Sequence, residues 1–217
     1  MNIFKNSHPI IATLICINIF IFLAPRVVSW LFGLLFLESF LQTPLQPIFI
    51  YNLDKLFIFF GGVRRTFILD DSQYYRLLTA VFLHASFIHL LVNMISLNNI
   101  GNTILQIYNS KKFLVIYFFS GILASLFSVF FSSPESYSVG ASGCIFGLFG
   151  AFCAWAILTR QARYLKLILI NLLLNLYIGF TYPQIDNWAH LGGFLAGISL
   201  GFTYLYHNRD ALAQKQV

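Results

Sequence analysis

Residues 187–201 read NWAHLGGFLAGISLG. Wound as a helix, His190 is followed by Gly193, Gly197 and Gly201 at offsets of 3, 7 and 11, so the four share one face. A glycine stripe of this kind lets a second helix backbone come close, as in small-xxx-small pairing inside a membrane. A matching face lies in VGASGCIFGLFG, residues 139–150, where Gly143, Gly147 and Gly150 are continued by Ala154. Laying one face on the other brings His190 to the depth of Ser142. That is the arrangement a serine nucleophile and its general base require.

Outward from these two segments the chain is apolar. Of its 217 residues 59% are hydrophobic and 9% charged, against about 25% charged in a soluble domain. This excludes a water-soluble globule, and 25 Phe with 11 Tyr suit lipid-facing and interfacial surfaces. Runs approaching the roughly 20 residues needed to cross a bilayer fall at about 10–24, 83–106, 112–131, 143–159, 165–181 and 188–206. The fold class is therefore all-α, a single polytopic membrane domain of six helices over 1–217. The first run shows no small-residue cleavage pattern and is read as a retained helix rather than a signal peptide. Residues 25–82 are interrupted by Pro25, Pro44, Pro47 and Gly61-Gly62, and read as a long membrane-associated first loop with interfacial helices. Cys16, Cys144 and Cys153 lie in apolar runs and form no disulfide framework.

The net charge of +6 forms no basic stripe, so it reads as a topology signal and not as a nucleic-acid surface. With the N-terminus inside, the inner segments carry Lys5, Lys111, Lys112, Arg160, Arg163, Lys166, Arg209 and Lys215 against Asp210. The outer ones carry Arg26, Lys55, Arg64, Arg65 and Arg76 against Glu38, Asp54, Asp70, Asp71, Glu135 and Asp186. The excess of Lys and Arg puts both termini in the cytoplasm. The second, fourth and sixth spans then all begin on the outer side, which gathers His84, His89, Asn93, Ser142 and His190 at that end.

Polar side chains inside a bilayer need a partner or a task. In HASFIHLLVN, residues 84–93, His89 and Asn93 are four apart and share a helix face, which Ser96 extends; an interhelical hydrogen-bonded pair explains them equally well. Gly140 and Gly143 flank Ser142 and permit a tight turn, leaving Ser142 near unpaired amides at a helix N-terminus. The same segment also reads as a packing face with Ser142 as N-cap. The fourth span, 17 residues and about 25 Å long, falls short of the roughly 30 Å hydrocarbon core, so Ser142 lies below the surface and water needs a cavity to reach it. No acidic residue lies within a span, and Asp186 reads as an N-cap or loop charge, which leaves a Ser–His dyad. His8 and His207 lie at cytoplasmic ends, away from this cluster.

Taken in order over residues 70–205, YYRLLT (74–79), HASFIHLLVN, the GASG turn (140–143) and AHLGG (189–193) resemble the rhomboid family of intramembrane serine proteases. The resemblance implies Ser142 as nucleophile and His190 as base and then acid. It implies an oxyanion hole from the Ser142 N–H, His89 and Asn93, a structural role for His84, and Arg76 as the first-loop arginine. Tyr75 stands where many members carry Trp. The glycines Gly140, Gly143, Gly193 and Gly197 shape the site. The implied architecture is the minimal six-helix bacterial-type core with a first loop partly in the outer leaflet, in a bacterial inner membrane.

The function expected is endopeptidase cleavage of transmembrane-anchored substrates near the outer leaflet, through an acyl-enzyme and without metal or cofactor. Its partners are membrane-protein substrates and lipids, with no nucleic acid, and the sequence does not indicate a homo-oligomer. The alternative is a catalytically inactive relative that binds and escorts membrane proteins; such chains lose Ser or His, and both are present here. A metal hydrolase using His84, His89 and His190 would lack the HExxH pattern and an intramembrane carboxylate.

Overall fold

A computed structural model describes residues 7–40, 61–182 and 185–206, with only the backbone described over 28–40. Lys5, Pro44, Pro47, Asp54, Lys55, His207, Arg209, Asp210 and Lys215 lie outside the described residues. The elements are α1 (Pro9–Phe40), α2 (Arg65–Leu69), α3 (Arg76–Thr79), a 3-10 turn (Ala80–Phe82), α4 (Phe87–Phe131), α5 (Ser142–Leu158), α6 (Ala162–Thr181) and α7 (Asn187–Tyr206). Among the described residues the single extended pairing is an antiparallel bridge between Val63 and Ser138. The chain is an all-α bundle. Among the described residues three helices, α1, α4 and α6, are long and apolar enough to cross a membrane.

The second and third apolar runs join into one 45-residue element that breaks at Asn109 (φ 63°, ψ 170°). Asparagine is among the residues found most often at positive φ, and its Oδ1 accepts the Lys112 N–H at 3.2 Å, capping the second arm, 110–131. The turn expected between the two runs is thus one residue wide. A larger difference concerns the first run, read as ending at 24: α1 continues through Pro25 to Phe40. Proline removes the backbone donor that would reach the Ile21 carbonyl; one position on, the Arg26 guanidinium donates to the Phe22 carbonyl and lies over its ring. In apolar surroundings such local partners let a helix pass a proline. The middle of the expected first loop lies outside the described residues.

α5 forms the centre of the bundle, packed along α7 and both arms of α4, while α1 lies against α4 and α6 sits at the edge. Only small residues allow the central contact. A Cβ at Gly193 would run into the Gly143 carbonyl, and one at Gly197 into the Gly147 carbonyl. On the other side of α5, Gly143 faces Ala124 and Gly147 faces Ser120 of α4. Two backbones meeting this closely fix depth and register together. Tyr108 closes the end of the contact away from Ser142, donating its hydroxyl to the Ala151 carbonyl at 2.7 Å.

Candidate active site

The register of α5 against α7 sets Ser142 Oγ and His190 Nε2 3.0 Å apart. Both side chains are half-buried, which leaves the pair an open side. Ser142 is not the N-cap of α5: Ala141 holds that position, without a side-chain cap bond. The hydroxyl is therefore directed at the imidazole, and the first amides of α5 keep the unpaired character of any helix start.

The Asp186 carboxylate accepts the Ala189 N–H at 3.0 Å and the Ser132 hydroxyl at 2.8 Å. It caps α7 in the way the loop-charge reading expects. His190 Nδ1 is buried and has no hydrogen-bond partner among the described residues. The imidazole is instead oriented by stacking: the Phe146 ring lies parallel to it, with centroids 4.1 Å apart and planes within 8°. Phe146 did not stand out in the sequence. Its signal was its place four residues after Ser142, on the same helix face, but many apolar residues have such a place.

Opposite the pair stand His89 and Asn93 from the first turns of α4. Ser86 caps this helix, its hydroxyl accepting the His89 N–H at 3.1 Å. Asn93 is buried, and its Nδ2 has no acceptor among the described residues. Gly140 joins the two sides. It has φ +122°, and a Cβ there would come 2.7 Å from His89 Cε1 and 3.5 Å from Asn93 Nδ2. Both the left-handed backbone and the approach of the turn to the imidazole require glycine. His84 is buried with its ring edge against His89, centroids 5.1 Å apart. The structure thus brings Ser142, His190, His89, Asn93, Gly140 and His84 to one end of the bundle, with Gly143, Gly193 and Gly197 in the helix contact that carries them.

Arg76 stands one layer away. Its guanidinium is buried, donates to Gln73 Oε1 at 2.7 Å and to the Gly62 carbonyl at 3.0 Å, and lies 4.2 Å over the Phe67 ring. It binds α3 to the 61–67 segment. That segment reaches the turn before Ser142 through the Val63–Ser138 bridge, and the Gly140 N–H donates to the Ala80 carbonyl at 2.9 Å. Arg64 reinforces the bridge. Its guanidinium is hydrogen-bonded to Tyr137 and paired with Glu135, which together hold its pKa above the usual value. Arg65 caps the C-terminal end of α4, donating to the carbonyls of Val129 at 2.6 Å and of Phe130 and Ser132 at 3.0 Å. These backbone contacts have no signature in the sequence, because a carbonyl acceptor looks the same at every position.

The geometry can be set beside known proteins. A Rhomboid domain family model matches residues 71–207. The chain is 40% identical to RHOMBOID-like protein 5 of Arabidopsis thaliana over 151 residues, 67% of this chain and 48% of that one. It is 34% identical to RHOMBOID-like protein 7 of the same plant over 197 residues, 88% of this chain and 61% of that one. It is 34% identical to the Rhomboid protease GluP of Bacillus subtilis (strain 168) over 140 residues, 63% of this chain and 27% of that one. The match spans about half the length of the plant relatives and about a quarter of the Bacillus protein.

Proposed function

The chain belongs to the rhomboid family, and from that premise we propose that it is an intramembrane serine endopeptidase working through a Ser142–His190 dyad. The observation that carries the reading is the 3.0 Å approach of Ser142 Oγ to His190 Nε2 across two helices. A relative named as a rhomboid protease, matched over most of this chain, supports the same activity.

The substrate is a protein anchored by a transmembrane helix, which must unwind at the scissile bond because an intact helix keeps its carbonyls in hydrogen bonds. Ser142 Oγ attacks the exposed carbonyl carbon while His190 Nε2 takes the hydroxyl proton. The carbonyl oxygen becomes an oxyanion, and the Ser142 N–H, Asn93 Nδ2 and the His89 ring are the donors assigned to it. On collapse the C–N bond breaks and His190 returns the proton to the departing amine. A water then attacks the acyl ester with His190 again as base, freeing the new carboxylate and the Ser142 hydroxyl. Phe146 keeps the imidazole plane aligned throughout. By the excess of Lys and Arg on the inner segments, both termini are cytoplasmic and cleavage occurs toward the outer leaflet.

A fluorophosphonate probe followed by mass spectrometry of the modified peptide tests this reading. An adduct on Ser142 is expected; an adduct elsewhere, or none on a folded sample, overturns it. Asn93→Ala separates the oxyanion role from a structural one. Because the oxyanion exists only late in the reaction, kcat should fall about 10²-fold with KM nearly unchanged. An effect confined to KM would make Asn93 a structural residue.

A further inference from the structure

His190 sits at the end of the first turn of α7, where helices fray because their opening amides have no partners within the helix. Gly193, the first glycine driven against the α5 backbone, comes three residues later. Two other contacts reach this turn. Stacking on Phe146 holds the plane of the imidazole but lets parallel rings slide. Trp188 meets Phe131 of α4 with ring centroids 5.1 Å apart, an apolar contact without a fixed direction.

Asp186 supplies the direction. One atom, its Oδ1, accepts both the Ala189 N–H at 3.0 Å and the Ser132 hydroxyl at 2.8 Å, and its carbonyl accepts the His190 N–H at 3.1 Å. A helix cap is complete with a bond to its own helix. The second bond ties the same oxygen to the C-terminal end of α4. Ser132 is itself held there: its N–H donates to the Ser128 carbonyl at 3.0 Å, and its carbonyl accepts from Arg65 of α2 at 3.0 Å. Among the described residues His190 Nδ1 has no partner, so the carboxylate acts on the base through the main chain and not through the ring.

We propose that Asp186 and Ser132 are positioning residues for the reaction, a latch between α4 and α7 that sets where the His190 imidazole meets Ser142. The proposal rests on the Ser142–His190 reading above. The nucleophile's helix packs on the second arm of α4, Gly143 against Ala124 and Gly147 against Ser120. The latch fastens the base's helix to the end of that same arm. Both members of the dyad are thus referred to one frame, and proton transfer between them depends on that frame, since a misplacement of about 1 Å costs on the order of 10²-fold in rate.

The test follows kcat, KM and the rate of fluorophosphonate labelling of Ser142, using the full chain in liposomes. Ser132→Ala leaves the α7 cap in place, so melting should stay within about 4 °C of the wild type. Its kcat and labelling rate should nevertheless fall about tenfold with KM unchanged. Ser132→Thr keeps the hydroxyl and should restore both. Asp186→Asn keeps an acceptor oxygen and should remain within about threefold of the wild type, whereas Asp186→Ala should lose about 10²-fold. Adding Ser132→Ala to Asp186→Ala should cost no more than about twofold further, because the latch is already open. Four results overturn the proposal: wild-type kcat and labelling in Ser132→Ala, no rescue by Ser132→Thr, a full tenfold further loss in the double variant, or Asp186→Asn as slow as Asp186→Ala, which would make the charge and not the latch the contribution. In each of these the wild type still labels at Ser142 and the dyad stands. A folded wild type that does not label there overturns the dyad, and the latch with it.

Discussion

Ser142→Ala is expected to abolish cleavage of a fluorescent transmembrane substrate, lowering turnover by at least about 10⁴-fold. Without Oγ no atom is placed to attack the carbonyl, and only binding and oxyanion stabilisation of a water reaction remain. The variant is a clean probe of chemistry. Ser142 lies inside the first turn of α5 and is not its cap, and among the described residues its side chain bonds to His190 alone. Helix and bundle should therefore be retained, with melting close to the wild type. The same substitution discriminates against the escort reading, because a chain that only binds membrane proteins has no use for that hydroxyl. Equal cleavage by both proteins would remove Ser142 from the chemistry. No cleavage by either, beside an active control protease, would favour the escort reading.

The second large effect falls on the helix contact. Gly197→Leu should lower stability by about 3 kcal/mol or more, at or beyond the upper end of ordinary overpacking. The reason is what the new side chain would meet. A Cβ at residue 197 is driven into the Gly147 carbonyl, and a main-chain group cannot rotate aside as a side chain can. α5 and α7 must separate, and the separation extends to the dyad two turns away. A displacement of about 1 Å there costs on the order of 10²-fold in rate. Ser199→Leu, on the exposed side of the same helix, should leave melting and cleavage near wild-type levels. Normal melting and full activity in Gly197→Leu would mean that the glycine contact does not set the site.

Much of this arrangement was legible before any coordinates. The stripe from His190 through Gly193, Gly197 and Gly201, laid on Gly143 and Gly147, already implied that Ser142 and His190 share a depth, because helical periodicity turns spacing directly into faces. The N-cap reading of Asp186 was legible for a similar local reason. Other features were not. That α1 runs on past Pro25 goes against local propensity, which ends a helix at proline. The stacking of Phe146 on His190 depends on which side of α5 turns toward α7. The hold of Ala80 and Val63 on the turn before Ser142 runs through main-chain groups that every residue possesses.

The amino-acid order by itself determined an all-α, apolar chain with small residues at helical spacing and a serine and a histidine at the heads of two such stripes. These are consequences of composition and of a 3.6-residue period, and both act within a single helix. The tertiary structure alone decided the 3.0 Å approach of Ser142 to His190, the ring that orients the imidazole, and the loop contacts that hold the turn. Register between helices arises from steric contact among residues far apart in the chain, and no pattern within one segment contains it.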